Sequence, residues 1–267
     1  MPLAVRGLPA DSNRQADDLT GIQNHFINSK HLTMSNFKKI TLMAETADGG
    51  QQSFEIKPLV SEVLTAEEQA NLTPQSVVDS LIEGNKAFVN NDLTARDHTA
   101  QVRKTAGGQY PKAVILSCLD SRVPVEDVFD KGIGDIFVGR VAGNFINVDM
   151  LGSMEFGCKV AGSKVIMILG HEHCGAVKAA VDDVKLGNIT EMLTKIRPAV
   201  EMLSDYAGDK TSANPEFVHK VCEQNVRNNM EAIRTGSPIL KEMEDNGEIK
   251  IIGGIYDMDT GEVEFIA

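Results

Sequence analysis

Two thiols and an imidazole, Cys118, Cys174 and His171, end two separate hydrophobic runs of this chain. Thiolate sulfur and neutral imidazole nitrogen are donors that Zn2+ favours, and three such donors leave its fourth position to water. A divalent ion acidifies that water enough to make a nucleophile of it near neutral pH. The set therefore points to hydrolytic or hydration chemistry rather than to a structural finger. A lone histidine is more often a core residue bonded to backbone, but Cys174 three positions on and Cys118 on a neighbouring predicted strand make His171 a ligand. His173 should face away from the ion, as a surface histidine or alternatively a proton shuttle.

Asp120 and Arg122 follow Cys118 by two and four positions, close enough to pair as carboxylate and guanidinium beside the ion. Two thiolates and a neutral imidazole leave Zn2+ with no net first-shell charge, so it polarises water less than a three-histidine site would. Help from neighbouring groups is expected. Arg122 would offset the negative charge gained when water loses its proton. Asp120, held by Arg122, would accept the hydroxide's remaining proton in a hydrogen bond and so aim its lone pair. If that pair breaks, Asp120 itself can take the fourth position and close the site.

The elements that must position these groups follow from the hydrophobic pattern. Ala113-Val114-Ile115-Leu116 reads as a buried strand that delivers Ser117 to Arg122, and Val165-Ile166-Met167-Ile168-Leu169 as another that delivers Gly170 to Gly175. Both clusters lie past the C-terminal ends of strands, where open parallel sheets gather ligands. Cys174 opens a helix expected over 176–184, whose N-terminal dipole favours thiolate. Strands over 113–117, 135–138 and 164–169 alternate with a short helix after Pro124 and helices over 148–160 and 176–184, which implies right-handed crossovers.

Further helices are expected over 189–206, interrupted at Pro198, and over 215–234; the stretch from Lys241 to Glu248 reads as a solvated helix end. A strand over 248–256 and a return over 262–266 flank the turn Asp257-Met258-Asp259-Thr260-Gly261. Thr73-Pro74 reads as a helix N-cap with proline in the first turn, and Val77, Val78, Leu81, Ile82 and Phe88 form one apolar face. The fold expected is α/β: a four-stranded, mainly parallel sheet flanked by helices, with an N-terminal helical arm and a C-terminal antiparallel extension. Residues 1–72, with Gly49-Gly50 and Gln51-Gln52, are expected to be a flexible or lightly structured extension, and 73–267 the zinc domain.

The motif C-x-D-x-R at 118–122 followed by G-H-x-x-C-G at 170–175 resembles the signature of the β-class carbonic anhydrases. Val123-Pro124, the turn Gly139-Arg140-Val141-Ala142-Gly143-Asn144 and Ser153-Met154-Glu155-Phe156 resemble that family too, over roughly residues 73–266. The resemblance implies reversible hydration of carbon dioxide to bicarbonate and a proton by zinc-bound hydroxide. Cys118, His171 and Cys174 would be the Zn2+ ligands, and Asp120 and Arg122 the catalytic pair.

For the substrate pocket it implies Gln109 as an amide donor, Phe137, Ala142 and Phe156 as a small apolar wall, and Gly175 as a backbone amide. Phe137 and Phe156 serve equally well as ordinary core aromatics. Ala142 is smaller than the valine common in plant-like members, and Phe156 lacks the hydroxyl of the tyrosine often found there, so the pocket should be tuned rather than lost. Members of the family exist with the aspartate on arginine and with it on zinc. The chain has no tryptophan, a residue of the inhibitory bicarbonate pocket of the switching members, which favours the open form, with Asp120 a metal ligand only in a closed state. The resemblance also implies a homodimer or dimer of dimers, with the helix after Thr73 laid across a neighbour or packed on its own domain. Two other functions fit the same residues: a carbon disulfide or carbonyl sulfide hydrolase, and a non-catalytic zinc scaffold subunit.

Composition bounds these readings. With 267 residues and 42% hydrophobic content the chain can bury one substantial core, and no apolar stretch is long enough to span a bilayer. A net charge of -12 argues against nucleic acid or an anionic membrane as partner, but not against a small anion met by a local arginine. No Walker lysine or G-x-G-x-x-G opens the first helix, so nucleotide binding is not expected. Four cysteines are too few for a disulfide scaffold; Cys158 and Cys222 read as small buried apolar residues rather than redox groups. Thiolate ligands suit a reducing compartment, and the first 33 residues carry no signal pattern, with Met34 an alternative start, so the expected address is cytoplasmic.

Overall fold

The computed structural model describes residues 40–45 and 49–266. Strand β1 (Ile40–Glu45) pairs antiparallel with β2 (Gln51–Ile56), Ile40 opposite Ile56. The main sheet contains β3 (Ala113–Ser117), β4 (Ile136–Arg140), β5 (Val165–His171), β6 (Lys250–Tyr256) and β7 (Val263–Ile266), in the order β4-β3-β5-β6-β7. The first four run parallel and β7 returns antiparallel on β6. This is the expected α/β architecture.

β3 and β5 are buried along their whole length, because helices cover both faces of the sheet. Period-2 alternation then sorts their side chains into two cores. Val114, Leu116, Ile166 and Ile168 face α9 (Pro215–Gly236), which brings Val221, Val226, Met230 and Ile233. Ala113, Ile115, Val165, Met167 and Leu169 face Val77 and Leu81 of α2 (Pro74–Val89). The N-terminus of α2 is capped by Thr73 in a reciprocal box with Ser76, as Thr73-Pro74 suggested. Its buried face lies on its own domain: Asn85 donates to the Gly261 and Val128 carbonyls and accepts from the Val263 amide.

Several elements differ from expectation, each for a local reason. The helix expected over 148–160 is α5 (Val148–Glu155) followed by a π-helical turn, Phe156–Val160. The stretch 189–206 is two helices, α7 (Gly187–Leu193) and α8 (Arg197–Glu201); Pro198 sits in the first turn of α8, where its missing N–H costs nothing, so it starts a helix instead of interrupting one. Helix α3 (His98–Thr105) was not expected, since its polar sequence has no apolar stripe.

Before residue 73, the expected extension carries the β1–β2 hairpin and the short helix α1 (Ala66–Ala70), capped by Thr65 and Glu68. Buried Gln69 ties α1 to the domain through the Pro111 and Ala161 carbonyls, and Val60 bridges to Arg96. These segments are too short to show periodicity. Residues 1–39 and 46–48 of the expected extension lie outside the described residues. Among the described residues no helix is long and apolar enough to cross a membrane.

Gly84 lets α2 approach the chain closely: a Cβ there would lie 1.8 Å from the Phe129 carbonyl oxygen, which is backbone and cannot step aside. Gly84→Ala should therefore push α2 away from the Phe129 backbone and cost about 1–3 kcal/mol, the usual range for overpacking. A lower chemical denaturation midpoint checks this; an unchanged midpoint would show that α2 is not held there.

Candidate metal centre

β3 and β5 are neighbours with Ser117 beside Leu169 in register, so the residues that leave them come together. Cys118 follows β3 directly, His171 is the last residue of β5, and Cys174 is the N-cap of α6 (Gly175–Val181). All three are buried, and their donor atoms lie within 4.8 Å of one another. The two sulfurs are 3.9 Å apart.

His171 Nδ1 sits 2.7 Å from the Glu172 carbonyl oxygen, which can only accept, so Nδ1 carries the proton and Nε2 a lone pair. Nε2 is buried and has no hydrogen-bond partner among the described residues. Leaving a buried acceptor unmatched costs about 1–3 kcal/mol. A cation between Nε2 and the two sulfurs would satisfy it, and two thiols with one imidazole are donors of the kind Zn2+ takes. The residues present fit the ion.

The electrostatics favour thiolate at one sulfur. The hydrogen bond from Cys174 holds the Cys118 thiol far below its ordinary range, while Cys174 is pushed up by the same bond and by burial. The Gly143 amide also donates to Cys118 Sγ at 3.3 Å. Asp120 accepts from Arg122 three times, from Nε at 2.9 Å and Nη2 at 2.7 Å and from its backbone amide at 3.0 Å. These bonds hold its carboxyl well below the usual carboxylate range. Asp120 Oδ2 stands 4.0 Å from His171 Nε2, at the edge of the donor triangle.

Two residues at the site were not singled out in the sequence. Arg140, the last residue of β4, donates to the Cys118 carbonyl at 3.1 Å and the Asp120 carbonyl at 2.5 Å, pinning the turn between ligand and carboxylate. Its register opposite Ser117 would have indicated it, but only once β3 and β4 were known to pair. Gly143 was quoted only within a glycine-bearing turn; its φ of +84° and a Cβ that would meet Ile196 Cδ1 at 2.3 Å require glycine.

The substrate-pocket residues separate. Ala142 adjoins Gly143, and Gly175 follows Cys174 at the exposed start of α6. Gln109 is exposed on the connection between α3 and β3. Phe137 and Phe156 pack edge to face, ring centroids 6.4 Å apart, and line a groove of about 690 Å³ beside β3, β4 and α5. Phe137 pairs with Val114, four positions before Cys118, or about 13 Å back along the strand. The aromatic pair does not join the donors of its own chain.

His173 is exposed. Its donor atom lies near those of Glu172 and Asp259, a surface grouping of a kind common without an ion. Cys158 and Cys222 are buried, and burial pushes both thiols up to about 12, which suits an apolar role.

A family model described as carbonic anhydrase matches residues 113–263. Carbonic anhydrase 2 of Mycobacterium tuberculosis is 34% identical over 200 residues, covering 72% of this chain and 92% of the relative. The carbonic anhydrase of Mycolicibacterium smegmatis is 32% identical, covering 73% and 94%. Among solved structures, the β-carbonic anhydrase CafA of Aspergillus fumigatus superposes with a TM-score of 0.57 at 24% identity over 72% of this chain and 89% of that one. A tetrameric β-carbonic anhydrase of Sordaria macrospora gives 0.56 at 22% identity over 72% and 94%.

The Asp120 and Arg122 pairing has a signed pH consequence. A carboxyl lowered in the folded state adds stability that is fully present above its unfolded value of about 3.9 and is lost as pH falls through the lower folded value. Replacing Arg122 by Met should raise the Asp120 midpoint toward the unfolded value, read by 13C-carboxyl NMR. An unmoved midpoint would mean that Arg122 does not hold the carboxylate.

Proposed function

The chain belongs to the carbonic anhydrase family, in its β class, and from that premise we propose that it hydrates carbon dioxide with one Zn2+ on Cys118, His171 and Cys174. As an enzyme of this family it is not the non-catalytic scaffold that the residues alone allowed. The observation that carries the metal reading is the buried, unpartnered Nε2 of His171 facing two sulfurs. Bound there, Zn2+ would supply Lewis acidity that brings the ionisation of water into the neutral range.

The chain's own residues do the rest. Arg122 keeps Asp120 ionised, so its carboxylate can only accept a hydrogen bond. Asp120 Oδ2, at the edge of the donor triangle, would accept a hydrogen bond from the attacking oxygen and so turn its lone pair toward the carbon. Arg140 fixes the Asp120 backbone while this happens. Carbon dioxide and water give bicarbonate and a proton, the proton leaving to solvent. Ala142, next to Gly143, and the Gly175 amide, next to Cys174, would border the substrate, and Gln109 would be its amide donor.

We also propose that copies associate, as a dimer or dimer of dimers. Val148, Phe156 and Val160 are 79%, 56% and 72% exposed along one flank, an apolar surface that a lone chain would leave wet. Since Phe137 and Phe156 lie away from their own metal centre, they can wall substrate only in a neighbouring copy. Two thiolate donors and two further cysteines outside any disulfide, Cys158 and Cys222, suit a reducing, cytoplasmic setting.

Stopped-flow hydration assays on metal-quantified protein test the activity and its residues. Asp120→Ala should keep about one zinc per chain and lose about 100-fold or more in turnover, the scale of a misplaced reacting group. Full zinc with undiminished turnover in that variant would remove Asp120 from the mechanism. Phe156→Glu should yield a smaller species by light scattering, with zinc retained and turnover reduced; an unchanged mass would reject this flank as the contact.

A further inference from the structure

Helix α9 presents an unusual buried face toward the metal centre. Asn225 and Asn229 are 1% and 6% exposed, and they sit one turn apart on the side that also carries Cys222 and Val226. Buried amides are retained only where their bonds are made. Asn225 Nδ2 donates to the Gly143 carbonyl at 2.9 Å. Asn229 Nδ2 donates to Asn225 Oδ1 at 3.1 Å and to the Asn225 carbonyl at 2.7 Å, and Asn229 Oδ1 accepts from the Ile146 amide at 2.7 Å.

These bonds have a direction. Asn229 engages the oxygen of the Asn225 amide, which turns its nitrogen toward Gly143. Gly143 and Asn144 both have positive φ, +84° and +40°, so the backbone here is held in a conformation that most residues avoid. Asn225 grips the carbonyl of Gly143 while the amide of the same residue points at Cys118 Sγ. The turn is thus fixed at both ends, by α9 on one side and by a thiol of the metal centre on the other.

We infer that Asn225, steadied by Asn229, is a positioning residue that holds the Gly143 amide on the Cys118 thiolate and so sets how strongly that sulfur binds and donates to the metal. This rests on Cys118 being a metal ligand, as proposed above. An N–H donor on a ligand thiolate withdraws electron density from the sulfur and leaves the ion more acidic. With the amide released, the sulfur donates more and the ion is less acidic, so the activity profile moves to higher pH, while the turn that positions the ligand loosens and the metal exchanges faster.

The test uses the full chain loaded with 113Cd, a spin-active substitute for zinc, and Asn225→Ser. In the wild type, scalar coupling to 113Cd is expected at the β protons of Cys118 and Cys174 and, through the hydrogen bond, at the Gly143 amide proton. In Asn225→Ser the cysteine couplings stay, the Gly143 coupling falls away, and a chelator strips zinc about tenfold faster, the lower end for losing a partner of a ligand. The pH midpoint of kcat/KM rises with it.

Asn85→Ser is the control, because Asn85 is likewise a buried, fully bonded amide, on α2. It should lose comparable stability with no change in chelator release or in coupling. Should Asn225→Ser not fold, Asn229→Ser, which leaves Asn225 in place but unsteadied, is read the same way. Cysteine couplings without a Gly143 coupling in the wild type would overturn the inference and leave the metal reading intact. So would a Gly143 coupling and a zinc release rate that survive loss of Asn225. Absence of the cysteine couplings would overturn both.

Discussion

Parallel pairing of β3 with β5 is the constraint on which the centre depends. Cys118 and His171 are 53 positions apart in sequence, and only the register that sets Ser117 beside Leu169 makes them neighbours. A slip by one residue would turn every side chain of the strand to the opposite face and send the thiol toward α2 instead of α9. That register is enforced by burial on both faces, since Val114, Leu116, Ile166 and Ile168 belong to one core and Ile115, Met167 and Leu169 to the other. The hydrophobic sorting that folds the sheet is thereby the same event that assembles the donors.

Much of this was legible in the chain, and particular residues show why. Strand β3 was read to the residue because its apolar run is too short for a buried helix, is rich in β-branched side chains and follows Pro111. The three donors were legible because thiols and histidines at strand ends are chemically distinctive. The aromatic groove was not: Phe137 and Phe156 are named by alignment, but their distance from Cys118 is a matter of strand register and of a helix that changes pitch. Asn225 and Asn229 were equally silent. A buried amide carries no sequence mark, because its meaning lies in the backbone groups it meets, and those come from 82 and 83 positions away.

The centre also shows how a chain of strongly negative charge can handle an anionic product. Its formal charge is -12, yet two arginines, Arg122 and Arg140, hold the turn that carries Cys118 and Asp120. Each is committed to a different acceptor, Arg122 to the Asp120 carboxylate and Arg140 to backbone carbonyls. The local field is therefore set by fixed, oriented cations rather than by the overall balance.

The π-helical turn at Phe156–Val160 has one more consequence. It closes with the Ala161 amide on the Phe156 carbonyl at 2.9 Å, and it amounts to a single residue inserted into an α-helix. Gly157 lies against Val114, where a Cβ would come within 2.4 Å of a methyl group. Deleting one residue would restore ordinary helical pitch and rotate the downstream side chains about the helix axis by about 100°. A bulky neighbour would then replace the glycine against β3. This flank can accept exchanges of side chain far more readily than any change in length, so relatives sharing the groove should preserve its spacing even where they alter its residues.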